Sequence, residues 1–436
     1  MRGKLALTLA GTLVLAGCAP RIVLPGTVVA PESAPGERLV GPPVDWRAAG
    51  EASDLAALAE AFPDSASVRL RLLAAAHAAG DRQGVADAAR WLKAREIALP
   101  PGARDAVLAM FGSGEAGALL RDLALATPLA TSAVVSTIGP EAQLPEAYLL
   151  DRAQGREFVT TVVSRALFTR ISARRDEPAP WERIAIPGAG SLSGIALDGA
   201  RGLLWVGSGV VAQTPDPDTA FRGVIAIDRD TLAERRRVAA PPNITIADIA
   251  IAPDGTVYGS DPLGGGLYMA APQDEVMQAL VAPGTFRSPQ GIAVRPTGRS
   301  LFVSDYRYGF AEVVLGARPH VYRVQTALPV ALDGIDGLWL HDNELIAVQN
   351  GLSPARIVAL RLGEGIANIA GYRLLERAHP DWTEPLGGAM TGSGLYYVGN
   401  GAWELYGEGE QSALGTAQPV TQLRRLEVRE AGEQSP

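Results

Sequence analysis

The chain has 436 residues, a formal net charge of −8 and a single cysteine. This length exceeds one typical domain, so we expect more than one structural unit. The acidic balance and the lack of any basic tract in the sequence exclude an electrostatic nucleic-acid-binding surface, and we predict no nucleic-acid partner.

The N-terminus has the pattern of an export signal. Two basic residues precede an apolar stretch from Leu5 to Leu15, which is too short to span a bilayer. The stretch continues into Leu15-Ala16-Gly17-Cys18, which resembles the lipobox of bacterial lipoproteins, whose cysteine is acylated and becomes the first mature residue. The resemblance implies that residues 1–18 are a lipoprotein signal peptide and that Cys18 is lipidated. An ordinary signal peptide with an incidental cysteine is the alternative.

The residues after the cysteine bear on location. Several acyl chains on one cysteine hold a soluble domain at a membrane surface. Ala19, where inner-membrane lipoproteins have Asp, points by resemblance to the outer membrane. We therefore expect a bacterial cell-envelope protein, anchored to the outer membrane through Cys18 and facing the periplasm. Residues 19–50 contain six prolines and no sustained apolar period, which predicts an extended tether.

Residues 51–130 carry a helical pattern. Apolar residues recur at i, i+3 and i+7 from Leu55, and the segments Pro63-Asp64-Ser65 and Gly80-Asp81 separate successive helices. Residues 62–92 resemble one tetratricopeptide helix pair, and a single repeat cannot bury its own apolar face. Two interpretations stay open for this helical unit. It is either a module that docks a protein partner or a structural cap that packs on the rest of the chain.

A repeated pattern occupies residues 140–428. Each copy has a polar or small residue, a short apolar run, a turn and a second apolar run that ends near Ser, Asn or Asp. The copies begin at intervals of 43 to 54 residues, which is the period of a four-stranded propeller blade. The opening residues of the copies are Glu146, Ser193, Ala247, Gln290, Asp336 and Gly387.

Short runs rich in Val, Ile and Tyr alternate with turns such as Pro253-Asp254-Gly255, which predicts antiparallel sheets. Sheets arranged around an axis leave only short, protected edges. We therefore predict a mainly β fold, a six-bladed β-propeller over residues 140–428, preceded by the small α-helical unit and followed by a tail at residues 429–436. A two-sheet sandwich is the alternative, and six copies at one period disfavour it.

The opening residues of the copies are the candidate site. The innermost strand of each blade lines the central channel, so these residues should form a ring at one mouth. The ring contains two carboxylates, Glu146 and Asp336, and the amide of Gln290. Buried carboxylates need a cation, protonation or water, and calcium accepts six to eight oxygen ligands. The sequence has no Gly-x-Ser-x-Gly elbow and no P-loop lysine that would indicate other chemistry.

Three of these segments resemble blades of the senescence-marker-protein, gluconolactonase and luciferin-regenerating-enzyme family. They are Pro145-Glu146-Ala147, Ser288-Pro289-Gln290-Gly291-Ile292-Ala293 and Ile335-Asp336-Gly337-Leu338. The resemblance covers residues 140–428 and implies a six-bladed propeller that holds a divalent metal through a Glu of the first blade, an Asn of the fourth and an Asp of the fifth. By motif, the metal ligands here are Glu146, Gln290 and Asp336.

The sequence departs from the family pattern at several of these positions. Gln290 replaces the Asn, which keeps an amide oxygen but moves it by one methylene. Ala247 stands where the family has a substrate-side Asn, although the neighbouring Asp248 supplies an oxygen if the strand is bulged. Ser193 occupies the second-blade position and cannot replace a catalytic base. Asp248 and Ser193 are therefore the candidate substrate-side residues.

The resemblance implies hydrolysis of a small lactone or ester, with calcium or zinc as the cofactor. In that reaction the ion polarises the carbonyl group as a Lewis acid, and Asp336 is the catalytic residue that accepts a proton from the attacking water. The alternative is a non-catalytic propeller scaffold that binds a protein or a small ligand, in which the ring residues bind ordered water or tie the blades together.

Overall fold

The computed structural model describes residues 28–29, 54–111, 127–172, 179–406 and 419–429. Cys18, most of the predicted tether and all but the first residue of the predicted tail lie outside the described residues. Within the described ranges, no helix has both the length and the apolar character needed to cross a membrane.

The N-terminal part of the described chain is helical. Its helices are α1 (Leu55–Ala61), α2 (Ala66–Ala79), α3 (Arg82–Ala94) and α4 (Pro101–Phe111). Side chains of Asp54, Ser65 and Asp81 accept hydrogen bonds from the first free N–H groups of α1, α2 and α3 respectively. Gly80 ends α2 in the left-handed region, at a φ of 72°, which glycine adopts without steric cost.

The rest of the described chain is mainly β and forms four-stranded antiparallel units, which we number in chain order. Unit 1 contains β3 (Pro145–Asp151), β4 (Arg156–Thr161), β5 (Ala166–Ile171) and β6 (Glu182–Ala185). Unit 2 contains β7 (Ser191–Asp198), β8 (Leu203–Gly209), β9 (Gly223–Asp228) and β10 (Glu234–Ala239). Unit 3 contains β11 (Ile249–Ile251), β12 (Val257–Asp261), β13 (Gly266–Ala270) and β14 (Gln278–Val281).

Unit 4 follows the same pattern, and units 5 and 6 also include strands from the N-terminal part of the chain. Unit 4 contains β15 (Pro289–Val294), β16 (Ser300–Asp305), β17 (Gly309–Val314) and β18 (His320–Arg323). Unit 5 contains β19 (Gly337–His341), β20 (Glu344–Gln349), β21 (Arg356–Leu362) and β22 (Ile369–Arg377), with β1 (Val28–Val29) paired to its outer edge. Unit 6 contains β23 (Gly387–Thr391), β24 (Gly394–Val398), β25 (Thr421–Glu427) and β2 (Ala133–Ile138).

The units form a closed ring. The first strand of each unit contacts the first strand of the next unit, in the order β3, β7, β11, β15, β19 and β23. The last of these, β23, pairs with β3 through a short parallel ladder. The strand β2 pairs antiparallel with β25 along Ala133–Ile138, so a segment that precedes unit 1 completes unit 6. Small sheets arranged in a ring are the architecture of a β-propeller. The β-propeller therefore begins before residue 140, because β2, the strand that completes unit 6, lies upstream of the first repeat.

The hydrophobic core lies between the faces of neighbouring units. Leu149 of unit 1 packs in one cluster with Ile195 and Ile225 of unit 2, and Ile346 of unit 5 shares a cluster with Tyr397 of unit 6. The second and third strands of each unit are therefore buried on both faces, which explains the continuous apolar runs in the repeats.

The helices dock on units 4 and 5. The Phe62 ring stacks on Tyr308 with a centroid separation of 4.6 Å. Asp333 accepts hydrogen bonds from the backbone N–H groups of Ala66 (2.8 Å) and Ser67 (2.7 Å), so a carboxylate of the β-sheet region caps α2. Tyr308 lies in the connection between β16 and β17, and Asp333 lies in the segment before β19. Both are at the end of the ring at which the first strands of the units begin, so the helices contact that end.

Candidate active site

The first strands begin close to one another at one end of the ring. The backbone N–H of Gly194 donates to the carbonyl of Ala247 in the next unit over 2.8 Å. A Cβ atom at Gly291 would lie only 2.6 Å from the backbone nitrogen of Leu338. Glycine after the opening residue therefore lets adjacent first strands approach, and this approach brings the opening residues of different units toward a common centre.

Four carboxyl groups interact at this centre, and we call them the carboxyl cluster: Glu146, Asp248, Asp336 and Glu384. All four side chains are partly buried. Every charged side chain of the described residues that shifts their pKa values is itself a carboxylate. The cluster is therefore a site of concentrated negative charge.

Burial raises the pKa of each member, and the charge of Asp336 adds to the increase in the other three. Burial raises the pKa of Glu146 well above its ordinary value, and the charges of Asp336 and Glu384 add to the increase. Burial raises the pKa of Asp336 to about 6, against a hydrogen bond that favours its charged form. The pKa of Asp248 rises to about 7 through burial, and that of Glu384 to about 7 through burial and the charge of Asp336. Asp248, Asp336 and Glu384 therefore change protonation state near neutral pH, and Glu146 keeps its proton to a pH well above the ordinary pKa of a glutamate.

Three members of the cluster are held by hydrogen bonds. The indole N–H of Trp403 donates to Glu146 Oε2 over 2.9 Å. The amide of Asn350 donates to Asp336 Oδ2 over 3.0 Å, and the backbone N–H of Ile292 donates to Asp248 Oδ2 over 3.0 Å. Each of these bonds engages one oxygen of its carboxylate.

The structure brings together three of the residues that the sequence singled out, namely Glu146, Asp248 and Asp336. Asp248 lies immediately before β11, where the backbone N–H of Ala247 donates to the Ser260 carbonyl and that of Ser260 donates to the Asp248 carbonyl. Two residues thus face one across the pair, as in a β-bulge, and Asp248 joins the cluster. The Ser193 hydroxyl donates to the Ala247 carbonyl over 2.7 Å and so links units 2 and 3. The Gln290 amide faces Ser288 Oγ at 3.4 Å.

Sequence reasoning missed Glu384, Trp403 and Asn350. Glu384 lies in the connection before β23, and Trp403 lies in the connection after β24. The repeat gives no periodic signal in either connection. Asn350 did carry a signal, because it is the polar residue that ends the second apolar run of its copy. The pattern located Asn350 at the end of β20, but not the direction of its side chain.

The cluster matches a hard dication in donor chemistry. Its groups supply only oxygen, and four mutually repelling carboxylates are the kind of set that calcium binds through six to eight oxygens. As they are arranged here, no three or more His, Cys, Asp or Glu residues in the described ranges form a ready metal-binding group.

No protein-family model and no curated protein matches this sequence. Among solved structures, the chain is similar to a gluconolactonase from Xanthomonas campestris, with 14% identity, a TM-score of 0.44 and coverage of 69% of this chain and 96% of that one. It is also similar to a calcium-binding protein, regucalcin, from Agrobacterium tumefaciens, with 17% identity, a TM-score of 0.44 and coverage of 71% and 97%.

A luciferin-regenerating enzyme is a further structural neighbour, with 13% identity, a TM-score of 0.44 and coverage of 67% of this chain and 95% of that one. The structural neighbours thus include the family that the repeat segments resemble. At such identities the similarity concerns the fold alone.

Proposed function

We propose that the chain is a six-bladed propeller that hydrolyses a small lactone or ester with a divalent metal bound at the carboxyl cluster. Units 1 to 6 are the blades in this proposal. The observation that supports it most is the meeting of Glu146, Asp336 and Glu384 from units far apart in the sequence, with pKa values displaced toward neutrality. Displaced carboxyl pKa values of this kind are typical of acid–base sites.

The residues that would hold the metal are Glu146 and Asp336, with the Gln290 amide oxygen as the third ligand implied by the family resemblance. When bound, the metal supplies a Lewis acid for the lactone carbonyl. Trp403 and Asn350 fix one oxygen of Glu146 and of Asp336, which leaves each carboxylate a defined second oxygen.

Two carboxyl groups of the cluster provide the base and the acid. Asp336 accepts a proton from the attacking water, since the hydrogen bond from Asn350 favours its ionised form. Glu384, whose pKa is raised by burial and by the charge of Asp336, donates its proton to the ring oxygen as the carbon–oxygen bond of the lactone breaks. Water and lactone are consumed together, and one hydroxy acid is formed.

The test is the initial rate of lactone hydrolysis with a panel of five- and six-membered lactones in the presence of calcium or zinc. Asp336→Asn should lower kcat/KM by about 100-fold or more, since the variant lacks the proton acceptor. Asp342→Asn is the matched control, because the Asp342 side chain is 63% exposed and lies outside the cluster. A wild-type protein that hydrolyses no lactone with either metal supports the scaffold alternative instead.

We also propose that Cys18 anchors this protein to the outer membrane, with the propeller in the periplasm. This proposal is supported by the lipobox-like sequence Leu15-Ala16-Gly17-Cys18. Metabolic labelling with a palmitate analogue should mark the wild-type protein but not Cys18→Ser, and fractionation should place the labelled form in the outer membrane. Equal labelling of both forms would rule out Cys18 as the anchor.

A further inference from the structure

One hydrogen-bond chain connects the carboxyl cluster to the loops of units 4 and 5. The Tyr306 hydroxyl donates to Asn350 Oδ1 over 3.0 Å. Asn350 Nδ2 donates to Asp336 Oδ2 over 3.0 Å and to the carbonyl of Pro385 over 3.1 Å. We infer that Asn350 is a positioning residue for Asp336, and that Tyr306 fixes the orientation of the Asn350 amide.

The network determines which way the amide faces. The Pro385 carbonyl can only accept a hydrogen bond, and the ionised Asp336 carboxylate likewise only accepts. A flipped Asn350 amide would place its oxygen against both of these acceptors. In the observed orientation the Tyr306 hydroxyl donates to the amide oxygen, so every polar atom of the Asn350 side chain has a partner.

The bonds of Asn350 act on two members of the cluster at once. One holds Asp336, and the other holds the carbonyl of Pro385, which directly follows Glu384 in the sequence. Glu146 and Glu384 both interact with the charge of Asp336. Without a donor on its Oδ2, the ionised Asp336 carboxylate would turn away from these neighbours, because like charges repel.

Asn350 lies directly after Gln349, the last residue of β20. The Gln349 amide donates to the carbonyls of Ala331 and Asp333, each over 2.9 Å, and so holds the segment before β19. Asn350 directs its own donor to the Asp336 carboxylate at the start of β19. The two neighbouring amides therefore have separate tasks, and that of Asn350 is at the site.

The helical unit holds the two loops that carry this chain. The Ser65 hydroxyl donates to the carbonyl of Arg307, next to Tyr306, and the backbone N–H of Ala98 donates to the carbonyl of Ser353. Between the loops, the backbone N–H of Gly351 donates to the Gly334 carbonyl, and that of Gly334 to the Tyr306 carbonyl. A Cβ atom at Gly351 would lie 2.7 Å from the Tyr306 ring, so glycine lets the ring pack against the loop.

The inference rests on the proposed function of the cluster, and its test uses Asn350→Leu in the full chain. Leu has a similar volume but no donor, so crystal structures of the wild type and the variant should show the Asp336 carboxylate in a different rotamer in the variant. The calcium dissociation constant, measured by calorimetry, should rise by about 10- to 100-fold, as for other residues that orient a metal ligand. Tyr306→Phe should give a smaller rise in the same direction.

Asn343→Leu is the matched control. Asn343 lies in the turn after β19, at the end of that strand opposite to Asp336, and its amide donates to the Leu362 carbonyl. This variant should keep the Asp336 rotamer and the calcium affinity of the wild type. An Asp336 side chain that is unmoved in Asn350→Leu, with unchanged calcium affinity, overturns the inference. If Asp336 moves but the wild type binds no metal and hydrolyses no lactone, the positioning role stands and the proposed function fails.

Discussion

Asp248 makes the stability of the fold depend on pH. Its Oδ2 accepts from the backbone N–H of Ile292, and burial raises its pKa from an ordinary value of 3.8 to about 7. The folded protein therefore holds this proton more tightly than the unfolded chain does. The stability that the protonated group contributes is complete below about pH 4 and is lost as the pH rises to about 7.

Asp248→Asn should raise the free energy of unfolding of the metal-free protein at pH 8 by about 1–3 kcal/mol. The amide oxygen of Asn keeps the bond to Ile292 but carries no charge, so the gain should shrink toward pH 5. Urea unfolding at the two pH values measures this difference, with Asp342→Asn as the exposed control. A variant that loses equal stability at both pH values would contradict the assignment of Asp248 to the cluster.

At the scale of single elements, α2 depends on a residue far away in sequence. Asp333 caps its N-terminus together with Ser65, whose one hydroxyl proton is shared between Asp333 Oδ2 and the Arg307 carbonyl, each 3.0 Å away. Asp333→Ala would leave the N–H groups of Ala66 and Ser67 buried without their acceptor, and we expect a loss of about 2–4 kcal/mol of unfolding free energy. Hydrogen exchange of α2 should speed up in the same variant.

Asp54→Ala provides the control for the capping prediction. Asp54 caps α1 at an exposed position, through the N–H groups of Ala56 and Ala57. Its removal should cost about 1 kcal/mol, which is typical of an exposed N-cap. Equal losses for Asp54→Ala and Asp333→Ala would show that Asp333 is no more than an ordinary surface cap.

The sequence contained the local signals of these helices but not their docking. Gly80-Asp81 punctuates the chain where α2 ends and α3 begins, because Gly tolerates the left-handed conformation and Asp accepts from free N–H groups. The cap that Asp333 supplies joins residues 268 positions apart, and no local pattern encodes such a contact. The same reason explains why Glu384 and Asn350 were missed at the site, while the repeat itself pointed to Glu146 and Asp336.

On the scale of the whole molecule, the ring is closed by the segment before unit 1. The strand β2 completes unit 6, and Glu376 of unit 5 secures the approach to it by accepting from the backbone N–H groups of Thr131 (3.1 Å) and Ser132 (2.9 Å). The Tyr397 hydroxyl of unit 6 donates to the other oxygen of Glu376 over 2.8 Å. The repeat predicted the sheets, whereas β2 lies upstream of the first copy and gave no such signal.

Glu376→Leu should destabilise the protein by about 3 kcal/mol or more, because several buried donors lose their acceptor together. The side chain of Glu376 has no exposed surface, so water cannot replace it. Glu427→Leu is the control, since Glu427 is partly exposed and paired with Arg425, and such pairs contribute about 0–1 kcal/mol. Matching urea midpoints for the two variants would mean that Glu376 does not secure the closure.

Calorimetric titration of the purified protein with calcium and with zinc shows whether the carboxyl cluster binds the metal that the proposed reaction needs. We expect one of these ions to bind at one equivalent, Asp336→Asn to weaken this binding by about tenfold or more, and Asp342→Asn to leave it unchanged. Binding of equal strength to the wild type and Asp336→Asn, or no binding of either ion to the wild type, would show that the cluster is not a metal-dependent reaction centre.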